Sequence, residues 1–256
     1  MCWGTSRCLP EARSVGFFRR PLAFLFSPAF LAAALFLQAC SLAITGTVRQ
    51  DASASLAVRA DFQPKTAALL RSLDAGEDGG GSVVDAGLIA ESLAASPGVR
   101  SARLENRGGS ALDGEVLLSD IGAFARAAPD GTRAADIAFE STAGGGSFRL
   151  VLTRENGARM LAALSRDLAD YVSVLLAPIA TGEALTKKEY LELAGSVYGA
   201  PVAAEIAAAR VRITLEFPAK ITSAEGLRYT GKQAALDVPL ADVLTLETPL
   251  RLAVTW

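Results

Sequence analysis

Apolar residues recur at every second position at both ends of residues 41–256 and at every third or fourth position between them. This change of period constrains the fold more than any other feature. Leu42, Ile44, Gly46 and Val48 alternate with Ala43, Thr45, Thr47 and Arg49, the pattern of a half-buried strand. After a polar turn at Gln50-Asp51, Leu56, Val58, Ala60 and Phe62 share one face, which predicts an antiparallel hairpin. Two more hairpins are predicted, 99–106 with 111–118 around Arg107-Gly108-Gly109, and 135–142 with 147–153 around Gly144-Gly145-Gly146. Towards the other end, Val211, Ile213, Leu215 and Phe217 alternate with Arg212, Thr214 and Glu216. Short strands follow at 220–223 and 227–230 about Gly226, and Leu250, Leu252, Val254 and Trp256 point inward against Arg251, Ala253 and Thr255.

The helical signals are local and capped. Pro64 suits the first turn of a helix over 65–73 with Ala67, Leu69 and Leu70 inward. A second helix, 83–95, stops at Ser96-Pro97-Gly98, and Ser119 and Asp120 cap a third over 120–127. Met160, Leu161, Leu164, Leu168, Tyr171, Val172, Leu175, Leu176 and Ile179 recur at helical spacing, which predicts one amphipathic helix over 156–176 ending near Pro178. Thr186 with Glu189 forms a capping box for 187–198, and Pro201 opens a helix to 209. Hairpins with segregated helices predict an α+β fold: an antiparallel sheet built from hairpins, helices packed on one face, and a helical excursion over about 155–209. The two ends are expected to share one sheet, in a single domain over 40–256.

Residues 1–39 have another character. Arg19 and Arg20 precede the run 21–37, apolar apart from Ser27, and the run ends in Leu37-Gln38-Ala39-Cys40. The run is long for a signal-peptide core, short of the roughly 20 residues of a membrane span, and interrupted by Pro28. Leu37-Gln38-Ala39-Cys40 resembles the lipobox of bacterial lipoproteins, which implies cleavage before Cys40 and a diacylglycerol on its thiol. The alternative is an uncleaved anchor helix with Cys40 an incidental thiol. Residues 1–14 are long and mixed for a positive leader, which makes Val15 a candidate start. The cysteines are Cys2, Cys8 and Cys40, so a chain cut before Cys40 keeps one thiol, at its first position, and has no disulfide to form.

Composition excludes several chemistries. The chain has no histidine, which removes the commonest zinc ligand and the commonest general base. From Cys40 on there are 217 residues with 21 Lys+Arg against 26 Asp+Glu, a net charge of −5. No run of the sequence is basic, so nucleic acid is an unsuitable partner. Asp74 to Ser82 lacks the ligand spacing of a calcium loop: the twelfth position is Asp85 where a Glu is required, and Gly79-Gly80-Gly81 brings no ligand side chain. Gly231-Lys232-Gln233 and Gly144-Gly145-Gly146-Ser147 fail as phosphate loops, and no G-x-S-x-G elbow or S-x-x-K spacing occurs. Asp167 and Asp170 fall on the polar side of their helix. No enzyme activity, cofactor or metal is expected.

What remains is apolar surface. Leu161, Leu164, Leu168, Tyr171, Val172 and Leu175 make either a core-facing stripe or one wall of a lipid-accepting groove between helix and sheet. The segment Cys40-Ser41-Leu42-Ala43-Ile44-Thr45-Gly46-Thr47-Val48, the later Pro64-Lys65-Thr66-Ala67-Ala68-Leu69-Leu70, and the closing Leu252-Ala253-Val254-Thr255-Trp256 resemble LppM-like bacterial lipoproteins. The strand 211–217 before a glycine turn adds to the likeness, and the central helices have no counterpart in it. The resemblance implies a membrane-anchored α+β domain that holds glycolipid or phospholipid. The expected function is therefore a non-enzymatic lipoprotein of the bacterial envelope, exported from the cytoplasm and tethered to the inner or outer membrane, that binds a lipid or other apolar ligand. The alternative is a structural or assembly lipoprotein contacting another envelope protein.

Overall fold

The computed structural model describes residues 41–73, 82–126, 136–142, 144–164 and 166–256. The expected signal segment, Cys40 and the linker 74–81 lie outside them. All of the described residues belong to one unit, Leu37–Trp256. None of their helices is long and apolar enough to cross a membrane.

The class is α+β, with two sheets where the alternation predicts one. The larger sheet holds β1 (Ser41–Val48), β2 (Ala54–Asp61), β3 (Val99–Arg107), β4 (Ala111–Leu118), β7 (Arg210–Glu216), β9 (Arg228–Thr230) and β10 (Gln233–Pro239). Its order is β3-β4-β2-β1-β7-β10-β9, so β1 is the central strand. The smaller sheet is β5 (Asp136–Thr142), β6 (Gly145–Leu152), β11 (Leu250–Thr255) and β8 (Ser223–Glu225), in the order β5-β6-β11-β8. The first and last strands therefore sit in different sheets. What joins the two ends of the chain is β7, which runs parallel to β1 with Ile44 opposite Ile213. A parallel neighbour needs a long crossover, and the connection 49–209, which carries β2 to β6 as well as the helical excursion, supplies it.

The helices are α1 (Pro64–Leu73), α2 (Ala86–Ala94), α3 (Ile121–Arg126), α4 (Arg154–Leu164), α5 (Arg166–Val174), α6 (Pro178–Thr181), α7 (Lys187–Tyr198), α8 (Ala200–Ala208) and α9 (Leu240–Thr245). The predicted helix 156–176 corresponds to α4 and α5, with Ser165 outside the described residues. It starts two residues early because Thr153 and Asn156 cap each other. The Asn156 N–H donates to Thr153 Oγ1 at 3.3 Å, and the Thr153 N–H donates to Asn156 Oδ1 at 2.8 Å. The capping box of Thr186 and Glu189 forms as read, and Asp120 Oδ1 accepts from the Ala123 N–H at 2.9 Å. Asp85 caps α2 by accepting from the Leu88 N–H. The strand β10 and the helix α9 were not anticipated, and the strand expected at 220–223 lies at β8 instead.

Three apolar clusters hold these parts together. In the first, Val48, Val116, Leu118 and Phe217 of the larger sheet meet Val254 and Trp256 of the smaller one. In the second, Leu152 and Leu161 pack with Ile179, Tyr190, Val202, Ile206 and Leu244. In the third, Ala67 and Leu70 of α1 and Ile89 of α2 pack with Val83, Val84 and Leu112.

Candidate functional site

Of the residues expected to form one groove wall, the four whose side chains are described divide between two cores. Leu161 is buried in the second cluster, against which Val172 packs, whereas Tyr171 and Leu175 pack against the third. The side chains of Leu164 and Leu168 lie outside the described part. The helix α5 is thus a wedge between two cores, because its apolar positions span more of its circumference than one contact surface can take. Tyr190, fully buried on α7, anchors this region by donating from Oη to the Leu175 carbonyl at 3.3 Å. Burial pushes its phenol well above the ordinary pKa of 10.0, so it stays neutral.

Accessible apolar surface occurs elsewhere, in the middle of the larger sheet. Cross-strand pairing aligns Leu236, Ile213, Ile44, Val58, Gly114 and Leu104 in one row across six strands. The adjacent row on the same face starts Val238, Val211, Leu42, Ala60 and Leu112. Side chains alternate along a strand, so both rows share the face that carries Val48 and Phe217 into the first cluster. Yet Leu42, Ile44 and Ile213, on the central strand and its parallel neighbour, are only half-buried. On the smaller sheet, Ile137 and Leu150 form a comparable half-buried pair beside Phe139 and Phe148 of that cluster. The two sheets meet tightly at one end and leave apolar side chains accessible beyond it. Such exposure costs about 25 cal/mol per Å² relative to burial.

The rows end in a cleft. A cavity of about 380 Å³ is lined by Gly226, Leu227, Arg228, Ala235, Leu236, Asp237 and Val238. That volume falls within the range of roughly 300–1,000 Å³ typical of small-molecule sites. It arises where β9 stops: β9 pairs with β10 only as far as Ala235 opposite Arg228, which leaves Leu236 to Pro239 on an open edge. Gly226 makes the turn from β8 in one sheet to β9 in the other with φ +70°, and a Cβ there would lie 2.1 Å from the Arg251 carbonyl oxygen. The cleft's Leu236 and Val238 head the two apolar rows.

On the opposite face of the same edge sit three arginines and one carboxylate. Arg210 Nε donates to Asp237 Oδ1 at 2.5 Å, and Arg210 Nη2 to the Asp237 carbonyl at 3.1 Å. Arg212 Nε is 3.7 Å from the same Oδ1. Arg228 lines the cleft beside Asp237, and its guanidinium makes no hydrogen bond or ion pair among the described residues. The Arg210 hydrogen bond, with the charges of Arg210, Arg212 and Arg228, holds the Asp237 carboxyl below the ordinary carboxylate pKa of 3.8. Sequence reading finds no basic cluster, because Arg228 joins Arg210 and Arg212 only through strand pairing. Ile44 and Ile213 were legible as inward-facing, but their exposure was not. Among the described residues no group of His, Cys, Asp or Glu side chains is placed to hold a metal ion.

No protein-family model matches this chain, and no match is found among curated proteins. Among solved structures, the NMR structure of the folded domain of LppM from Mycobacterium tuberculosis is similar at 12% identity with a TM-score of 0.37. The match covers 84% of this chain and 88% of that one. That likeness is distant.

Proposed function

We propose that this chain is a non-enzymatic envelope lipoprotein, anchored through Cys40, whose domain holds a lipid or other apolar ligand against the inner face of the larger sheet. The observation that carries the reading is the half-buried state of Leu42, Ile44 and Ile213. On a central strand of a two-sheet fold these positions ordinarily belong to the sealed core. The cleft lined by Leu236 and Val238 lies at the head of the two rows that contain them. A site of this kind binds by apolar burial alone, which suits a chain without histidine. The lipobox-like Leu37-Gln38-Ala39-Cys40 supports the anchor, and a cysteine carrying the two chains of a diacylglycerol holds a membrane where a single chain is marginal.

The test is to purify the full chain in a maltoside detergent, extract it with organic solvent and identify co-purifying lipid by mass spectrometry. A stoichiometric lipid, reduced in a folded Ile44→Trp variant that fills the space, is the expected result. A clean extract from protein reincubated with envelope lipids overturns the ligand reading. Intact mass separately checks the anchor, with acylation and loss of residues 1–39 expected in the wild type and absent in Cys40→Ser. A second reading, an assembly role, rests on the exposed Val174 and Val197. They lie at the adjoining ends of α5 and α7, where Tyr198 Oη donates to the Val174 carbonyl at 2.5 Å.

A further inference from the structure

Ser41 leaves the proposed anchor no slack. It is the first residue of β1 and already pairs on both sides, with Asp61 of β2 and Arg210 of β7. Cys40 precedes it directly, so the Cα of the acylated residue lies about 3.8 Å from that of a residue fixed in the sheet. β1 is also the middle strand, and the attachment therefore lies inside the end of the sheet rather than at a corner. At that end β2, β4 and β3 flank it on one side and β7 and β10 on the other, at roughly 4.8 Å per strand. The connections around it are fastened. The Phe62 N–H donates to the Ser110 carbonyl at 2.8 Å, the Leu240 N–H to the Ala209 carbonyl at 2.8 Å, and Glu205 accepts from the Lys65 N–H at 3.0 Å. Lys65, Gly108 and Gly109 stand exposed among them. Charge does not oppose contact with lipid headgroups, because Asp61, Asp113 and Asp237 are matched there by Arg59, Arg107 and Arg210.

We infer that this end of the larger sheet, with Lys65, Gly108 and Gly109 foremost, rests on the surface of the bilayer, and that the strands run away from the membrane. The inference depends on the anchor half of the proposed function and is independent of the ligand half. A tether without a spacer, set inside a rigid end, admits little swing. Tilting the sheet lifts one side of that end and draws the acyl chains out of the bilayer. Val48, at the other end of β1, is about 23 Å away at roughly 3.3 Å per residue, and Trp256 packs there with it. The seating is geometric, so salt does not weaken it as salt weakens attraction between exposed charges.

The test expresses the full chain, verifies acylation and cleavage before Cys40 by intact mass, and reconstitutes the product into vesicles of phosphatidylcholine and phosphatidylglycerol. Part of the phosphatidylcholine carries a nitroxide on its headgroup, which quenches tryptophan at short range. Trp256 is then the single native tryptophan. It is expected to keep its emission, whereas the tryptophan added in Gly109→Trp or, separately, in Lys65→Trp loses its own, at low and high salt alike. Position 109 accepts the side chain, since among the described residues a Cβ there meets only Arg71 Nη1, at 3.6 Å. The Lys65 variant gives an independent report if the glycine variant does not fold. Trp256 quenched as strongly as the added tryptophan overturns the seating and describes a domain that tumbles on its tether. Quenching of neither also overturns it, with the domain held off the bilayer. Quenching that disappears at high salt overturns the tether as its cause. A chain that carries no acyl group overturns the anchor and the seating together and leaves the ligand reading standing.

Discussion

At the scale of single residues, the fold depends on a few positions whose chemistry admits little substitution. Tyr190 is completely buried with one hydrogen bond, to the Leu175 carbonyl. Its removal in Tyr190→Phe is expected to cost about 1 kcal/mol, read from urea unfolding at neutral pH. The pH dependence has a definite sign. Burial raises the folded-state pKa of Tyr190 above the ordinary 10.0. The unfolded chain therefore loses this proton first, and stability falls as pH rises past 10. Tyr198, also shifted up by burial, adds to the fall. In Tyr190→Phe the loss of stability between pH 9 and 11, regions set by that tyrosine value, is expected to be shallower; an unchanged slope counts against the assignment. Gly114 is the second such position. It lies in the middle of β4, and a Cβ there would sit 2.1 Å from the Arg103 carbonyl oxygen and 2.6 Å from Leu104 Cδ2. Gly114→Ala should force the β3–β4 pairing apart and cost about 1–3 kcal/mol, measured as a lowered thermal midpoint.

At the scale of elements, ends are fastened both by neighbours in sequence and by distant segments. The box of Thr186 and Glu189 on α7 was legible because its two halves lie three residues apart. The start of α1 is capped differently. Glu205 of α8 accepts from the Lys65 N–H at 3.0 Å, the Thr66 N–H at 2.7 Å and Thr66 Oγ1 at 2.8 Å. Nothing near Pro64 announces this, since the cap is 140 residues away. Glu205→Leu leaves two first-turn N–H groups without their acceptor and is expected to cost about 1–2 kcal/mol. Hydrogen exchange should show faster exchange across α1 and little change in the capped α7; uniform change across the chain would argue against a local cap. The sheet edges are guarded in the same physical spirit. Arg100, Arg103, Glu105 and Arg107 place charge along β3, and Pro239 withholds a donor where β10 is open.

At the scale of the whole molecule, the two sheets are clamped at one end by Trp256. Its ring centroid lies 4.9 Å from that of Phe217, at the end of β7, and 5.7 Å from that of Phe139 on β5. Its backbone exchanges hydrogen bonds with Gly146 at 2.9 and 3.0 Å. Trp256→Ala opens this contact and is expected to cost about 3–5 kcal/mol, a large part of the stability of an ordinary domain. The other tryptophan is Trp3, so a chain cut before Cys40 carries Trp256 alone and its fluorescence reports the clamp directly. An unfolding midpoint unchanged in Trp256→Ala would show that the sheets are held by other contacts. The sequence by itself determined the α+β class, most strands and helices, the local caps and the lipobox-like segment. Periodicity and capping act within one or two turns of chain, where the deciding residues are neighbours. Only the tertiary structure decided that there are two sheets, that β1 pairs in parallel with β7, that Glu205 caps α1, and that Arg228 joins Arg210 and Arg212 on the face opposite the apolar rows. An alternating strand is compatible with many partners, and the choice rests on register and packing between segments more than a hundred residues apart.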